Sequence, residues 1–127
     1  MVHKHTVKLI DFGLSRRLQQ SVYYTDKVYG IIPYMDPQTF NKEIVDGKRL
    51  YKLTKKYDIY SLGILFWELT SGLSPFNFEK MTSKHALMSA IFKGKRETPI
   101  PNTNPKFVEL YQSKYHDHCL INIHSHL

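Results

Sequence analysis

Apolar and polar positions divide this chain into a short alternating start, a long middle without a sustained period, and a mainly helical second half. Thr6 to Ile10 alternates, so Val7 and Leu9 share one face of a short predicted strand leading into Asp11. Residues 14–29 are polar and aromatic with neither helical nor alternating spacing, which predicts a loop. Pro33 and Pro37 restrict the backbone on either side of Tyr34, Met35 and Asp36 and predict a rigid, irregular turn. Lys42, Lys48, Arg49, Lys52, Lys55 and Lys56 flank Asp46 and Gly47 in a polar stretch of little periodicity, expected to be a solvated connecting loop.

Beyond that stretch the pattern turns helical. Tyr57 to Leu69 places Leu62, Leu65, Phe66 and Leu69 on one stripe and spreads Ile59, Tyr60, Ile64 and Trp67 around the rest, the signature of a buried helix. Gly72, after Ser71, can take the left-handed conformation that closes it. Leu87, Ala90 and Ile91 predict an amphipathic helix ending near Gly94. Asn104 as cap and Pro105 in the first turn open a third helix carrying Phe107, Leu110 and Tyr111.

A length of 127 residues at 42% hydrophobic allows one modest core. The single Cys119 forms no internal disulfide, and no early apolar run has a cleavage site, so the default location is intracellular and cytoplasmic. Ile59 to Leu69, interrupted by Ser61, Gly63 and Glu68, is too short for a bilayer core of about 30 Å, so a soluble protein with no membrane partner is expected. The net charge of +7 comes from scattered residues without a nucleic-acid motif, so no nucleic-acid partner is expected. The alternative for the basic stretch around Asp46 is a docking patch for an acidic or phosphorylated partner.

Three motifs carry candidate chemistry. Asp11, Phe12 and Gly13 place a carboxylate beside a flexible glycine at a strand end. Gly30 to Gln38 reads Gly-Ile-Ile-Pro-Tyr-Met-Asp-Pro-Gln. Asp58 to Leu69 combines Asp, Tyr-Ser-Leu-Gly and Trp-Glu-Leu, and Ser71-Gly72 and Pro75-Phe76 follow. In this order they resemble the C-terminal lobe of a protein kinase, closest to the tyrosine-kinase-like group of Ser/Thr kinases. The resemblance covers about residues 1 to 115, a partial kinase domain from the strand before Asp11 onward, and leaves residues 116–127 as a divergent His-rich tail.

The resemblance implies the α+β protein-kinase fold, of which this chain would be the mostly helical C-lobe opened by a short strand pair. It implies ATP and magnesium as cofactors, with Asp11 as magnesium ligand and Asp11, Phe12 and Gly13 as the cofactor-binding loop. Gly30, Pro33, Tyr34 and Pro37 would form the substrate-side loop for a protein substrate. Asp58 would anchor the backbone of a catalytic loop, and Trp67 belongs to the same structural helix. Ser15, Ser21, Tyr23, Tyr24, Thr25 and Tyr29 fall where kinases are switched by phosphorylation, with Arg16, Arg17 and Lys27 available to pair a phosphate; ordinary loop polarity is the alternative.

This sequence departs from the family at both ends of its pattern. The closing triplet, usually Ala-Pro-Glu, reads Asp36-Pro37-Gln38, and the Arg that would pair with its acid is missing from the tail. Ten residues precede Asp11, and they hold no Gly-rich phosphate loop, no phosphate-pairing strand Lys and no His-Arg-Asp loop. No catalytic base is therefore present, and the chain by itself is expected not to transfer phosphate. Two functions stay open: a Ser/Thr or dual-specificity kinase domain represented by its magnesium and substrate side, and a non-catalytic interaction module using the Ser83 to Arg96 surface. Leu9, Phe12 and Leu14 are expected to be partly bare. His116, His118, Cys119, His124 and His126 match no standard zinc spacing and read as an exposed terminus.

Overall fold

The computed structural model describes residues 2, 3, 6–15, 17 and 22–112. Strand β1 (Val2–His3) pairs antiparallel with β2 (Thr6–Val7), Val2 lying opposite Val7. This is the expected strand pair, although β2 stops at Val7 and residues 8–15 continue exposed and without regular structure.

The middle of the chain holds a sheet where loops were expected. Strands β3 (Val22–Thr25), β4 (Lys42–Val45) and β5 (Lys48–Thr54) form an antiparallel sheet in the order β3-β5-β4. The lysine-rich stretch is thus a hairpin. Asp46 and Gly47 make its tip with φ of 50° and 75°, the pair of left-handed conformations that a two-residue hairpin turn requires. Val22 to Thr25, inside the predicted loop of residues 14–29, is the third strand, and its β-branched and aromatic residues suit a pleated, half-buried surface. The rigid turn around Pro33 and Pro37 is as expected: two short 3-10 turns, Ile32–Tyr34 and Pro37–Phe40, bury both prolines.

Three helices follow, close to their predicted positions. Helix α1 (Lys56–Ser71) ends at Gly72, whose φ of 68° is left-handed and whose amide donates to the Glu68 carbonyl. Helix α2 (Lys84–Phe92) is capped by the Ser83 hydroxyl, which accepts from the Ala86 amide, and the chain leaves it through Gly94 at φ 103°. Helix α3 (Pro105–Gln112) starts behind Asn104, whose Oδ1 accepts from the Lys106 amide at 2.9 Å.

The expectation of an all-round buried α1 is corrected by its packing. Tyr60, Gly63, Ile64 and Trp67 are buried, whereas Leu62, Leu65 and Leu69 of the predicted stripe are exposed, Leu69 by 65%. The apolar stripe exists, but α2, α3 and the Pro75–Lys80 turn cover the other side of the helix. The core joins Tyr60, Ile64 and Trp67 to Leu87 and Ile91 of α2, Phe76, and Tyr111 of α3. Helices α1 and α3 approach so closely that a Cβ on Gly63 would stand 2.7 Å from Leu110 Cβ. Trp67 fixes the far side through its indole N–H, which donates to the Thr98 carbonyl at 2.8 Å.

Candidate functional site

The site is built around α1, because the Gly30 to Gln38 motif is held against it. Ser61, one turn after Tyr57, donates its hydroxyl to the Tyr34 carbonyl at 2.6 Å. Tyr34 in turn donates its hydroxyl to Glu68 Oε2 at 2.5 Å. Tyr57 donates to the Tyr29 carbonyl at 3.3 Å, so three residues of one helix hold the segment from Tyr29 to Tyr34. Gly30 has φ 150°, and a Cβ there would stand 3.1 Å from the Tyr57 hydroxyl, so this crossing favours glycine.

The segment continues into an Asp-capped turn. Asp36 Oδ1 accepts from the Gln38 amide at 2.9 Å, and the Thr39 hydroxyl donates to the Asp36 carbonyl. Burial pushes the Asp36 carboxyl above the usual carboxylate range, while the Gln38 amide and the nearby charges of Arg96 and Lys56 pull it back. Burial and the Glu68 contact push the Tyr34 phenol well above its ordinary value. Burial also raises Tyr57, helped by Asp58 and Asp36. A polar cleft of about 220 Å³ opens beside this turn, lined by Asp36, Thr39, Glu43, Lys52, Thr54 and Tyr57 among others.

Asp11 lies apart, on an exposed segment. Its φ of 63° is left-handed, and its Oδ1 accepts from the Gly13 amide at 3.2 Å. The Ser15 amide donates to the Phe12 carbonyl, closing a turn around Gly13. Leu9, Ile10, Phe12 and Leu14 are all exposed, Phe12 by 68%, in line with the bare surface expected there. The carboxylate faces solvent and can give one oxygen to a cation. Among the described residues no group of three His, Cys, Asp or Glu side chains can hold a metal. That donor set fits magnesium as the ion is usually held with a nucleotide, by one or two carboxylates, phosphates and water. Asp11 can serve as one such ligand.

Asp58 is exposed in the first turn of α1, where a carboxylate suits the helix N-terminus, and Trp67 is buried in the core. The hydroxyl candidates are not alike. Ser15, Tyr23 and Tyr29 are exposed, whereas Tyr24 donates to Glu43 Oε2 at 3.0 Å and Thr25 donates to the Lys27 carbonyl at 3.0 Å. Ser21 and Arg16 lie outside the described residues, as do His116, His118, Cys119, His124 and His126. Reading the sequence missed the Tyr24-Glu43-Lys52 cluster, in which Lys52 Nζ stands 3.2 Å from Glu43 Oε1. Its signal was the Asp46-Gly47 hairpin turn, which brings residue 43 across from residue 50 and beside residue 52.

No helix among the described residues is long and apolar enough to cross a membrane. The family model for the protein kinase domain matches residues 1–119. The chain is 32% identical over 112 residues to the serine/threonine-protein kinase STY46 of Arabidopsis thaliana, covering 88% of this chain and 18% of that protein. It is 30% identical over 103 residues to the dual specificity protein kinase Ttk of Danio rerio, covering 80% of this chain and 10% of that one. Mitogen-activated protein kinase kinase kinase 13-B of Xenopus laevis is 30% identical over 105 residues, 83% of this chain and 10% of its own length. The chain thus spans less than a fifth of the length of these relatives. No solved structure matches it. With the motif order, the helical body and a family match over most of its length, this chain belongs to the protein kinase domain family.

Proposed function

We propose that this chain is the magnesium-side loop and substrate-side platform of a cytoplasmic kinase that phosphorylates Ser/Thr, with Tyr as a further acceptor, on proteins. Residues 1–115 form the kinase unit in this reading, and residues 116–127 a divergent tail. The observation that carries it is the attachment of Gly30 to Pro37 to α1 through Ser61, Tyr34 and Glu68, which gives an incoming protein segment a fixed floor. Phosphoryl transfer depends on positioning and charge stabilisation more than on covalent chemistry by the protein. Magnesium-ATP, when bound, supplies the transferable phosphoryl group and neutralises its charge. The role of Asp11 is to offer its carboxylate as one magnesium ligand, while the Gly13 amide, donating to Oδ1, orients it. Phe12 and its apolar neighbours provide a surface for a covering lobe.

These residues include no base for the acceptor hydroxyl and no lysine or glycine loop for the phosphates, so groups outside them must complete the site. The chain alone is expected to transfer no γ-phosphate to a mixed Ser, Thr and Tyr peptide library. Joined behind the nucleotide lobe and catalytic loop of an active Ser/Thr kinase, it is expected to support transfer. Transfer by the isolated chain would contradict the proposal. The same bare residues, Leu9 to Leu14, favour a second reading as a non-catalytic interaction module. Partner binding that needs no nucleotide, with no transfer by the joined protein, would select it.

A further inference from the structure

The hairpin that replaces the expected loop presents a face with no assigned role. Cross-strand register puts Lys42 opposite Tyr51, Ile44 opposite Arg49 and Tyr23 opposite Leu53, so all six share one side of the sheet. Tyr24, Glu43 and Lys52 occupy the other side, where Glu43, Lys52 and Thr54 line the cleft shared with the Pro37–Phe40 turn. The first side is therefore the outward one. Ile44 is 75% exposed on it, and Tyr23, Lys42 and Arg49 are exposed as well. In the described sheet this side carries two cations and no carboxylate. Beside it, β4 is an edge strand, paired only with β5 among the described residues. Strand edges of this kind take up extended segments through backbone hydrogen bonds, with side-chain alternation setting specificity.

We propose that the outward face and β4 edge of this sheet dock an extended acidic segment of a partner protein, with carboxylates at Lys42 and Arg49 and an apolar residue on Ile44. Charge complementarity selects the sign of the partner. The open β4 edge favours an extended peptide over a nucleic acid, and Lys42 Nζ, 4.5 Å from the centroid of the Tyr51 ring, covers one of the two aromatic rings on this side on which a base would stack. The cation held there stays exposed to a carboxylate approaching along the edge.

The test uses the full 127-residue chain and a fluorescein-labelled octapeptide of alternating glutamate and valine, read by anisotropy. Binding is expected to saturate and to weaken as salt screens the charges. Arg49→Glu and Ile44→Glu are each expected to weaken it about tenfold or more, a scale common for a central interface contact. Lys80→Glu, the same charge reversal as Arg49→Glu on an exposed residue of a different segment, is expected to leave it nearly unchanged. Circular dichroism reports whether each variant keeps its fold. An absence of saturable binding, an equal loss with Lys80→Glu, or tighter binding of oligothymidylate of matched charge would each overturn the proposal.

Discussion

Tyr34 and Glu68 meet at 2.5 Å, phenol to carboxylate, and so tie the Ile32–Tyr34 turn to the fourth turn of α1. Ser61 supports the same residue from its backbone side, so the turn cannot shift along the helix without breaking both contacts. In the proposed reading this makes the helix the reference frame for the acceptor protein.

Removing that phenol tests the tie. Tyr34→Phe keeps the ring and loses the bond to a charged acceptor, with an expected loss of about 1.5–2 kcal/mol, the lower part of the range for such bonds because both groups are only half-buried. Chemical denaturation measures it. Tyr34→Phe in a background of Glu68→Gln should cost less than alone, since the two residues share the interaction.

Gly63→Ala tests the approach of α1 to α3. Alanine should gain roughly 1 kcal/mol of helix propensity at this position. Its Cβ, however, would meet Leu110 Cβ at 2.7 Å and the Leu110 carbonyl carbon at 2.9 Å, and overpacking against backbone costs about 1–3 kcal/mol. The expected net outcome is a lower melting temperature, with disruption at Phe66 and Phe107, whose rings stack at 4.6 Å between the same two helices.

Asp36→Asn tests the half-buried cap. A carboxyl whose folded pKa is raised stabilises the fold fully below its unfolded value, about 4, and that contribution is lost as pH rises through the folded value. Asparagine keeps an acceptor for the Gln38 amide and carries no charge to desolvate. The variant is therefore expected to melt higher than the parent at pH 7, the two curves converging near about pH 4. An advantage that persists unchanged at low pH would refute this cause.

At alkaline pH the opposite end of the titration appears. Tyr34, Tyr57, Tyr60 and Tyr111 all hold their protons more tightly than free phenols, chiefly through burial, and the Tyr60 and Tyr111 hydroxyls find no partner among the described residues. The unfolded chain ionises these phenols from about pH 10, before the folded one does, so stability should fall above that pH. Phenolate absorbance should then rise together with the loss of helical circular dichroism.

The helices were legible because their signals are local. Gly72 and Asn104-Pro105 mark ends that need only neighbouring backbone atoms to act. The hairpin was carried by one local cue, Asp46-Gly47, while its lysines hid the alternation of Lys42 and Ile44 with Glu43 and Val45. Which side of α1 would be buried depends on distant partners: Gly63 admits α3 on one side, while Leu62, Leu65 and Leu69 remain exposed. The motif residues of the site were visible one by one. Their connection through Ser61, Tyr34 and Glu68 required the turn and helix to be placed together.

The role proposed for Asp11 is decided by γ-phosphate transfer to protein Ser/Thr, measured for this chain joined behind an active kinase's nucleotide lobe and catalytic loop, with and without Asp11→Asn. Transfer by the parent is expected, with a fall of at least about a hundredfold on removing the carboxylate, the scale of losing one preorganised charge-stabilising group, and none from the 127-residue chain alone. Equal rates with Asp11 and Asn, or transfer by the isolated chain, would contradict the proposal.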